Sequence, residues 1–305
     1  MTTTIQTSPS FSSQLVNGLL SIKPLANLAK HQARKMMIQR AEKIGVFWHK
    51  EVQTLQKRDW EADLAQVKNP ELVYPDYYVR SFHAYEEGNL GWEPAWEVEV
   101  AAQAVHARIW PDAGAQGDAQ LRQSYHDVLK PALAEMPQDI LDLGCSVGMS
   151  TLALQALYPE AKITGVDLSP YFLAVARYRA QERSTNIHWV HAAAESTGLP
   201  DASYDLVSTF LMLHELPQSA TKQILSEARR LLRPNGYLAI MDMNPNSEIF
   251  SKMPPYILTL LKSTEPYLDE YFSLNIEQVL VEAGFTTPTI TQNSPRHRTV
   301  IAKVR

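Results

Sequence analysis

The sequence predicts an α/β fold: a doubly wound, mostly parallel seven-stranded sheet with a C-terminal antiparallel hairpin, preceded by a helical, aromatic-rich extension that forms a cap. Two observations carry this. From about residue 119 short apolar runs alternate with helix-length stretches. The runs are continuously apolar, as strands buried on both faces are, and repeated strand–helix units imply a parallel sheet covered on both sides. Before that point the chain shows helical periodicity and a crowd of aromatic residues instead.

In order, the strand candidates are "DILDLG", "KITGVD", "IHWVH", "YDLVSTF" and "GYLAIMD", then "TITQ" and "HRTVIAKVR". Helical stretches fall at 119–135, 149–158, 169–184, 218–232 and 273–284. The last two runs follow one another without a helix, hence the hairpin. Residues 119–305 are read as one domain, 16–118 as the extension, and the Ser- and Thr-rich residues 1–15 as a disordered leader. Within the extension, Met37, Ala41, Ile44, Trp48, Val52 and Leu55 recur at steps of four or three, which predicts one helix with one apolar stripe. "WEPAWEVEVAAQAVHARIW" reads as a helix and "PDAGAQGDAQ" as a loop. The aromatic segment holding Tyr74, Tyr77, Tyr78, Phe82, Tyr85, Trp92 and Trp96 serves equally as core or as the wall of a pocket for a flat apolar ligand.

Composition narrows the functions. Of 305 residues 45% are hydrophobic and 20% charged, as in a packed globular protein. The one cysteine, Cys145, excludes a disulfide framework or a cysteine zinc site within one chain and fits a reducing, cytoplasmic setting. No metal site is expected, and no apolar run is long enough to span a membrane. Residues 1–60 carry nine Lys and Arg against three Asp and Glu, a balance of +6, and the remainder carries −11, which together make the net −5. A basic front on an acidic body offers a peripheral membrane contact or simply a solvated helix face. An acidic body without a dense Arg/Lys stripe argues against nucleic acid.

The chemistry centres on "DILDLGCSVGMST", a loop between the first strand and the next helix. A nucleoside-triphosphate loop needs Gly-Lys-Ser/Thr at the helix start, and "GMS" has no Lys. A dinucleotide fingerprint counted from Gly144 fails at Ser146 and Met149. The pattern Asp142-x-Gly144-x-Ser146-x-Gly148, Asp167 closing "ITGVD", "DLVSTFLMLHELP" and "LLRPNGYLAIMD" together resemble the class I, Rossmann-like S-adenosylmethionine-dependent methyltransferases, nearest the ubiquinone/menaquinone-methylase-like small-molecule group. The resemblance covers roughly residues 120–305.

That resemblance implies S-adenosyl-L-methionine as cofactor and assigns roles by position. Asp142 and the backbone around Gly144, Cys145, Ser146 and Gly148 would hold its amino-acid end. Asp167 would take the ribose hydroxyls, Leu168 would pack on adenine, Ala194 would offer a backbone N–H, and Phe210 would close the loop end of the fourth strand. Ser146 stands where the family has glycine; it is accepted if its backbone angles are ordinary and its hydroxyl points to water or ligand. Ala193 stands where an Asp often reads the adenine amino group, a contact Glu195 would have to supply. Cys145 reads as a small buried residue rather than a nucleophile.

Methyl transfer needs alignment and exclusion of water more than a catalytic constellation. His214, just beyond the fourth strand, either serves the substrate or caps a helix; Glu215 reads as structural. His83 and Tyr85 are further candidates at the reacting end. Tyr78, Phe82, Trp92, Asn244 and Tyr256 are candidate substrate contacts, in segments rich in Tyr, Phe, Met and Pro but without an Arg/Lys cluster. The expected acceptor is an apolar, ring-containing small molecule such as an alkaloid or phenol, methylated on N or O. The alternatives are C-methylation of a prenylated quinone or lipid at a membrane surface, and a non-catalytic cofactor-binding scaffold. Oligomeric state is not legible.

Overall fold

The structure, a computed structural model, describes residues 23–80 and 85–305. The expected leader at 1–15 and the candidates Phe82 and His83 lie outside the described residues.

The sheet has seven strands: β1 (Asp139–Leu143), β2 (Lys162–Asp167), β3 (His188–His191), β4 (Tyr204–Phe210), β5 (Leu232–Met243), β6 (Thr289–Gln292) and β7 (His297–Lys303), in the order β3-β2-β1-β4-β5-β7-β6. The first five are mutually parallel, while β7 runs antiparallel to β5 and to β6, the hairpin the two adjacent runs predict. Successive residues of β1 feed opposite cores. Leu141 and Leu143 face the helix Gln218–Leu231 through Ile224, Leu225 and Ala228. Ile140 faces the helix Gly117–Ala132 through Leu121, Tyr125 and Leu129. Strand order reverses between β1 and β4, and in such sheets the crevice at the carboxyl ends beside that point is the binding position.

The extension contains α1 (Lys23–Lys43), α2 (Trp48–Gln56), α3 (Glu61–Val67) and α4 (Trp92–His106); α5 is Gly117–Ala132, α6 Met149–Leu157, α7 Pro170–Glu182 and α8 Gln218–Leu231. Between β5 and β6 lie α9 (Glu248–Ser251), α10 (Pro255–Thr264), α11 (Leu268–Ser273) and α12 (Ile276–Glu282). Two expectations are corrected. The apolar stripe from Met37 to Leu55 is two helices, because α1 ends in a Schellman turn: Val46 N–H donates to Ala41 O at 2.9 Å and Gly45 N–H to Glu42 O at 3.3 Å. The stripe still packs inward, with Ala41, Trp48 and Val52, joined by Val46 of the turn, against Val100 and Ala104 of α4. "PDAGAQGDAQ" is also not all loop. Helix α5 starts at Gly117, because Asp118 in its first turn bonds His106 Nδ1 at 2.7 Å and Arg122 Nε at 2.9 Å. Burial opposes the Asp118 charge, but Arg122 and His106 hold its carboxyl well below the usual range.

Among the described residues no helix is long and apolar enough to cross a membrane.

Candidate active site

A cavity of about 680 Å³ opens at the carboxyl ends of β1, β2, β4 and β5. Its floor is the β1–α6 loop. Gly144 has φ +70°, and a Cβ there would lie 2.3 Å from Met212 Sδ, so only glycine fits without displacing that side chain. Gly148 has φ +81° and caps α6; a Cβ there would meet the Trp189 ring at 2.8 Å.

Ser146 departs from the expectation of ordinary backbone angles: its φ is +50°. A non-glycine residue in this region costs roughly 1–2 kcal/mol. One contact that holds it there is its N–H, which donates to Asp167 Oδ2 at 2.7 Å. Its Oγ is buried on the cavity wall with no hydrogen-bond partner among the described residues. The serine therefore keeps the glycine-like turn and adds a hydroxyl aimed at whatever the loop holds.

Asp167, at the end of β2, is buried on the wall and accepts from the N–H groups of Ser146 and, at 2.8 Å, Ser169. Burial pushes it up to about 6, although those two N–H groups pull it down. Asp142 lies behind the wall rather than on it. Its Oδ2 accepts from Ser150 Oγ at 2.7 Å and Thr151 Oγ1 at 2.6 Å, and its Oδ1 has no partner among the described residues. Burial pushes Asp142 too up to about 6 against the pull of the Thr151 and Ser150 hydroxyls. Its reach into the cavity is through Ser150, which does line it. Cys145, Leu168, Ala194 and Phe210 all line the cavity. Burial raises the Cys145 thiol well above its ordinary range, so it stays protonated and unreactive.

The other half of the wall mixes apolar and ionisable groups. His214 follows β4 in a short 3-10 turn (Leu213–Glu215), and its Nδ1 lies 2.7 Å from Asp242 Oδ1 at the end of β5. Asp242 Oδ2 accepts from Leu213 N–H at 2.9 Å, so one carboxylate holds both the ring and its turn. Burial opposes a charge on His214, yet Asp242, with Glu265 and Glu215, outweighs it and the imidazole is pushed up to about 10. Tyr78 and Tyr85 line the cavity. The Tyr85 hydroxyl donates to Glu97 Oε2 at 2.7 Å, a carboxylate that also takes Arg34 Nε at 3.0 Å.

Four candidates are placed elsewhere. Glu195 is engaged by the Tyr77 hydroxyl at 2.8 and 3.0 Å and is not on the wall; Tyr77 takes its place there. Trp92 stacks on Trp96 with centroids 5.8 Å apart and meets Tyr171 edge-on at 4.9 Å, packing α4 onto α7. Asn244 turns its Oδ1 to the Asn246 N–H at 3.1 Å, closing the turn after β5. Tyr256 is 45% exposed, because α10 turns Ile257 and Leu261 to the cavity instead. Sequence reasoning also passed over Met212, which packs on Gly144, and Arg122, whose guanidinium stacks 4.5 Å from the Phe210 ring centroid. The i, i+4 pairing of Asp118 and Arg122 was the available signal for the latter.

Residues 140–236 match the family model described as a methyltransferase domain. The chain carries a class I, S-adenosylmethionine-dependent methyltransferase domain. It is 29% identical over 165 residues to an uncharacterized methyltransferase of Synechocystis sp., over 54% of this chain and 74% of that one. It is 31% identical over 114 residues to the demethylmenaquinone methyltransferase of Thermus thermophilus, over 37% of this chain and 51% of that one, so it spans about half the length of that relative. The CurJ carbon methyltransferase shares the fold, with a TM-score of 0.54 at 17% identity over 84% of this chain and 70% of that one.

S-adenosyl-L-methionine is the cofactor of this methyltransferase domain, and the residues fit it. The loop backbone at Gly144 leaves space that a Cβ would fill, Ser146 presents a hydroxyl with no partner among the described residues, and Asp167 presents a carboxylate at a strand end.

Proposed function

We propose that the chain methylates an apolar, ring-containing small molecule on N or O. The observation that carries this is the single cavity shared by the strand-end loop and an apolar wall. That wall is supplied by Met37, Val98 and Phe250 together with Ile257 and Leu261, which come from segments outside the strand-end loop. When bound, the cofactor supplies a sulfonium methyl whose carbon–sulfur bonding pair returns to sulfur as the bond to the acceptor forms.

The chain's own residues do the rest. Asp167 would accept from the ribose hydroxyls, Leu168 and Ala194 would flank the adenine, and the Gly144–Ser146 backbone would hold the amino-acid end. Tyr77, Tyr78 and Phe210 narrow the passage to the acceptor and exclude water. His214, locked by Asp242, orients the acceptor's polar end. Calorimetric titration with S-adenosylhomocysteine, on wild type and Asp167→Ala, tests the cofactor half; screening ring acceptors with methyl-labelled cofactor tests the rest. Tight binding without turnover on any acceptor would favour a scaffold.

One observation supports a second reading, methylation of a prenylated quinone at a membrane surface. Ile249, Tyr256, Ile257 and Leu260 expose an apolar surface beside the cavity. Flotation with anionic liposomes distinguishes it, since a protein acting on a dissolved acceptor stays in the bottom fraction.

A further inference from the structure

The acceptor side of the cavity holds a cluster that the sequence scatters over fifty residues. One ligating atom each from His214, Glu215 and Glu265 lies within 4.8 Å of the others. His214 and Glu265 are buried, Glu215 is half-buried, and all three line the cavity. His214 is 6% exposed. Its Nδ1 is taken by Asp242 at 2.7 Å, and its other nitrogen, Nε2, has no hydrogen-bond partner among the described residues. A carboxylate behind a histidine, fixing the ring so that the far nitrogen faces an open space, is the arrangement that orients metal-bound imidazoles. Asp242 is itself held by Leu213 N–H at 2.9 Å and Met243 N–H at 2.7 Å, so the ring has a rigid support.

We propose that His214 Nε2, Glu215 and Glu265 bind a divalent first-row cation, of which Mn²⁺ is the representative, with Asp242 as the positioning residue behind His214. The imidazole binds in its neutral form, so the ion displaces the proton on Nε2, which is released to solvent. One imidazole and two carboxylates form a mixed nitrogen–oxygen donor set, which suits such ions better than a thiolate-preferring one. Three protein ligands leave coordination positions open toward the cavity. This deepens, and rests on, the methyltransferase reading of the same cavity. The open positions take an oxygen of the acceptor, so the substrate class narrows to ring compounds that carry a hydroxyl, carbonyl or carboxylate beside the methyl-accepting atom.

The test is Mn²⁺ titration of the chelator-treated full chain, read as loss of the free-ion electron paramagnetic resonance signal, with S-adenosylhomocysteine calorimetry on the same preparations. The expected result is one Mn²⁺ per chain. Glu265→Gln and Glu215→Gln should each weaken binding by more than tenfold, and Asp242→Asn by roughly tenfold or more. Glu248→Gln, which alters an exposed carboxylate paired with Lys252, should not change it. Should Glu265→Gln fail to fold, the half-buried Glu215→Gln carries the test. Absence of Mn²⁺ binding to the wild type, or equal binding by the folded Glu215 and Glu265 variants, overturns the proposal. S-adenosylhomocysteine binding without Mn²⁺ binding overturns this inference alone. Mn²⁺ binding without analogue binding overturns the cofactor reading and leaves the cation site standing.

Discussion

On the cofactor side of the cavity, Asp167 is held by Ser146 N–H from 21 residues away and by Ser169 N–H from two residues away, at 2.7 and 2.8 Å. On the acceptor side, Tyr77 reaches Glu195 across 118 residues, Tyr85 and Arg34 meet on Glu97, and His214 finds Asp242 on a different strand. The first half is made of strand ends and the loops attached to them, so its geometry follows from the sheet. The second also uses residues at or just beyond strand ends, Glu195, His214 and Asp242, but sets them against side chains from the extension and from α9 to α11 that only packing brings there. Changes on the cofactor side should therefore act on binding of one invariant ligand, and changes on the acceptor side on substrate choice.

The largest expected effect is that of Asp167→Ala. It removes the ribose acceptor and leaves two backbone N–H groups without their carboxylate. Hydrogen bonds to a charged group are worth about 1.5–3 kcal/mol each, so S-adenosylhomocysteine affinity should fall on the order of a hundredfold or more by calorimetry. Retained affinity would break the contrast between the two halves. Gly144→Ala comes next. It places a Cβ against Met212 at a positive φ, and should lower unfolding free energy by roughly 1–3 kcal/mol in urea titrations as well as weaken the analogue. Adding Met212→Ala should restore the part due to the clash and leave the part due to the backbone angle.

The pH dependence sharpens the same point. Asp167 is raised to about 6 by burial, so it is ionised at neutral pH and takes up a proton as pH falls through about 6. Analogue affinity should then drop, by up to about tenfold per pH unit below that point. The unliganded protein has the opposite sign. A carboxyl raised on folding contributes stability that is fully present below about pH 4 and lost as pH rises through about 6. Affinity and stability should therefore move in opposite directions over pH 4 to 6; Asp142, raised to about 6 by the same burial, shares the stability curve, so an affinity curve that does not fall below about pH 6 counts against Asp167.

The smallest effects belong to the acceptor side. Ile257→Ser should raise the acceptor's KM several-fold and leave analogue affinity alone, because Ile257 faces the cavity. Tyr256→Ser, one residue earlier and pointing outward, should change stability by no more than about 0.5 kcal/mol and leave KM for a dissolved acceptor unchanged.

These pairs show what was legible. The central strands and their parallel order follow from continuous apolar runs of strand length, because a strand buried on both faces has no polar phase, while the hairpin follows from two adjacent runs with no helix between them. The positions of Gly144, Gly148 and Asp167 in the loop and at a strand end were legible because their spacing is local, whereas Asp142, expected to hold the cofactor directly, lies behind the wall and bonds Ser150 and Thr151. Ser146 was half legible. Its place in the loop was readable, but its positive φ, held with the help of the bond to Asp167, was not. Trp92, Asn244, Tyr256 and Glu195 were the right residue types in the right segments, yet Trp92, Asn244 and Glu195 face other partners and Tyr256 faces outward. A helix presents a new face every hundred degrees, and the face that turns inward is chosen by what packs on it.

By itself, then, the sequence determined the α/β architecture, the glycine-bearing loop after the first strand and the acid that ends the second, since these rest on periodicity and short spacings within a few elements. The tertiary structure alone decided that Tyr77 rather than Glu195 meets the cavity, that Arg34 is spent on Glu97, and that His214, Glu215 and Glu265 converge beneath Asp242. Those contacts join segments as far as 118 residues apart, and their energies are collected only when the sheet, its extension and the helices after β5 have closed on one another.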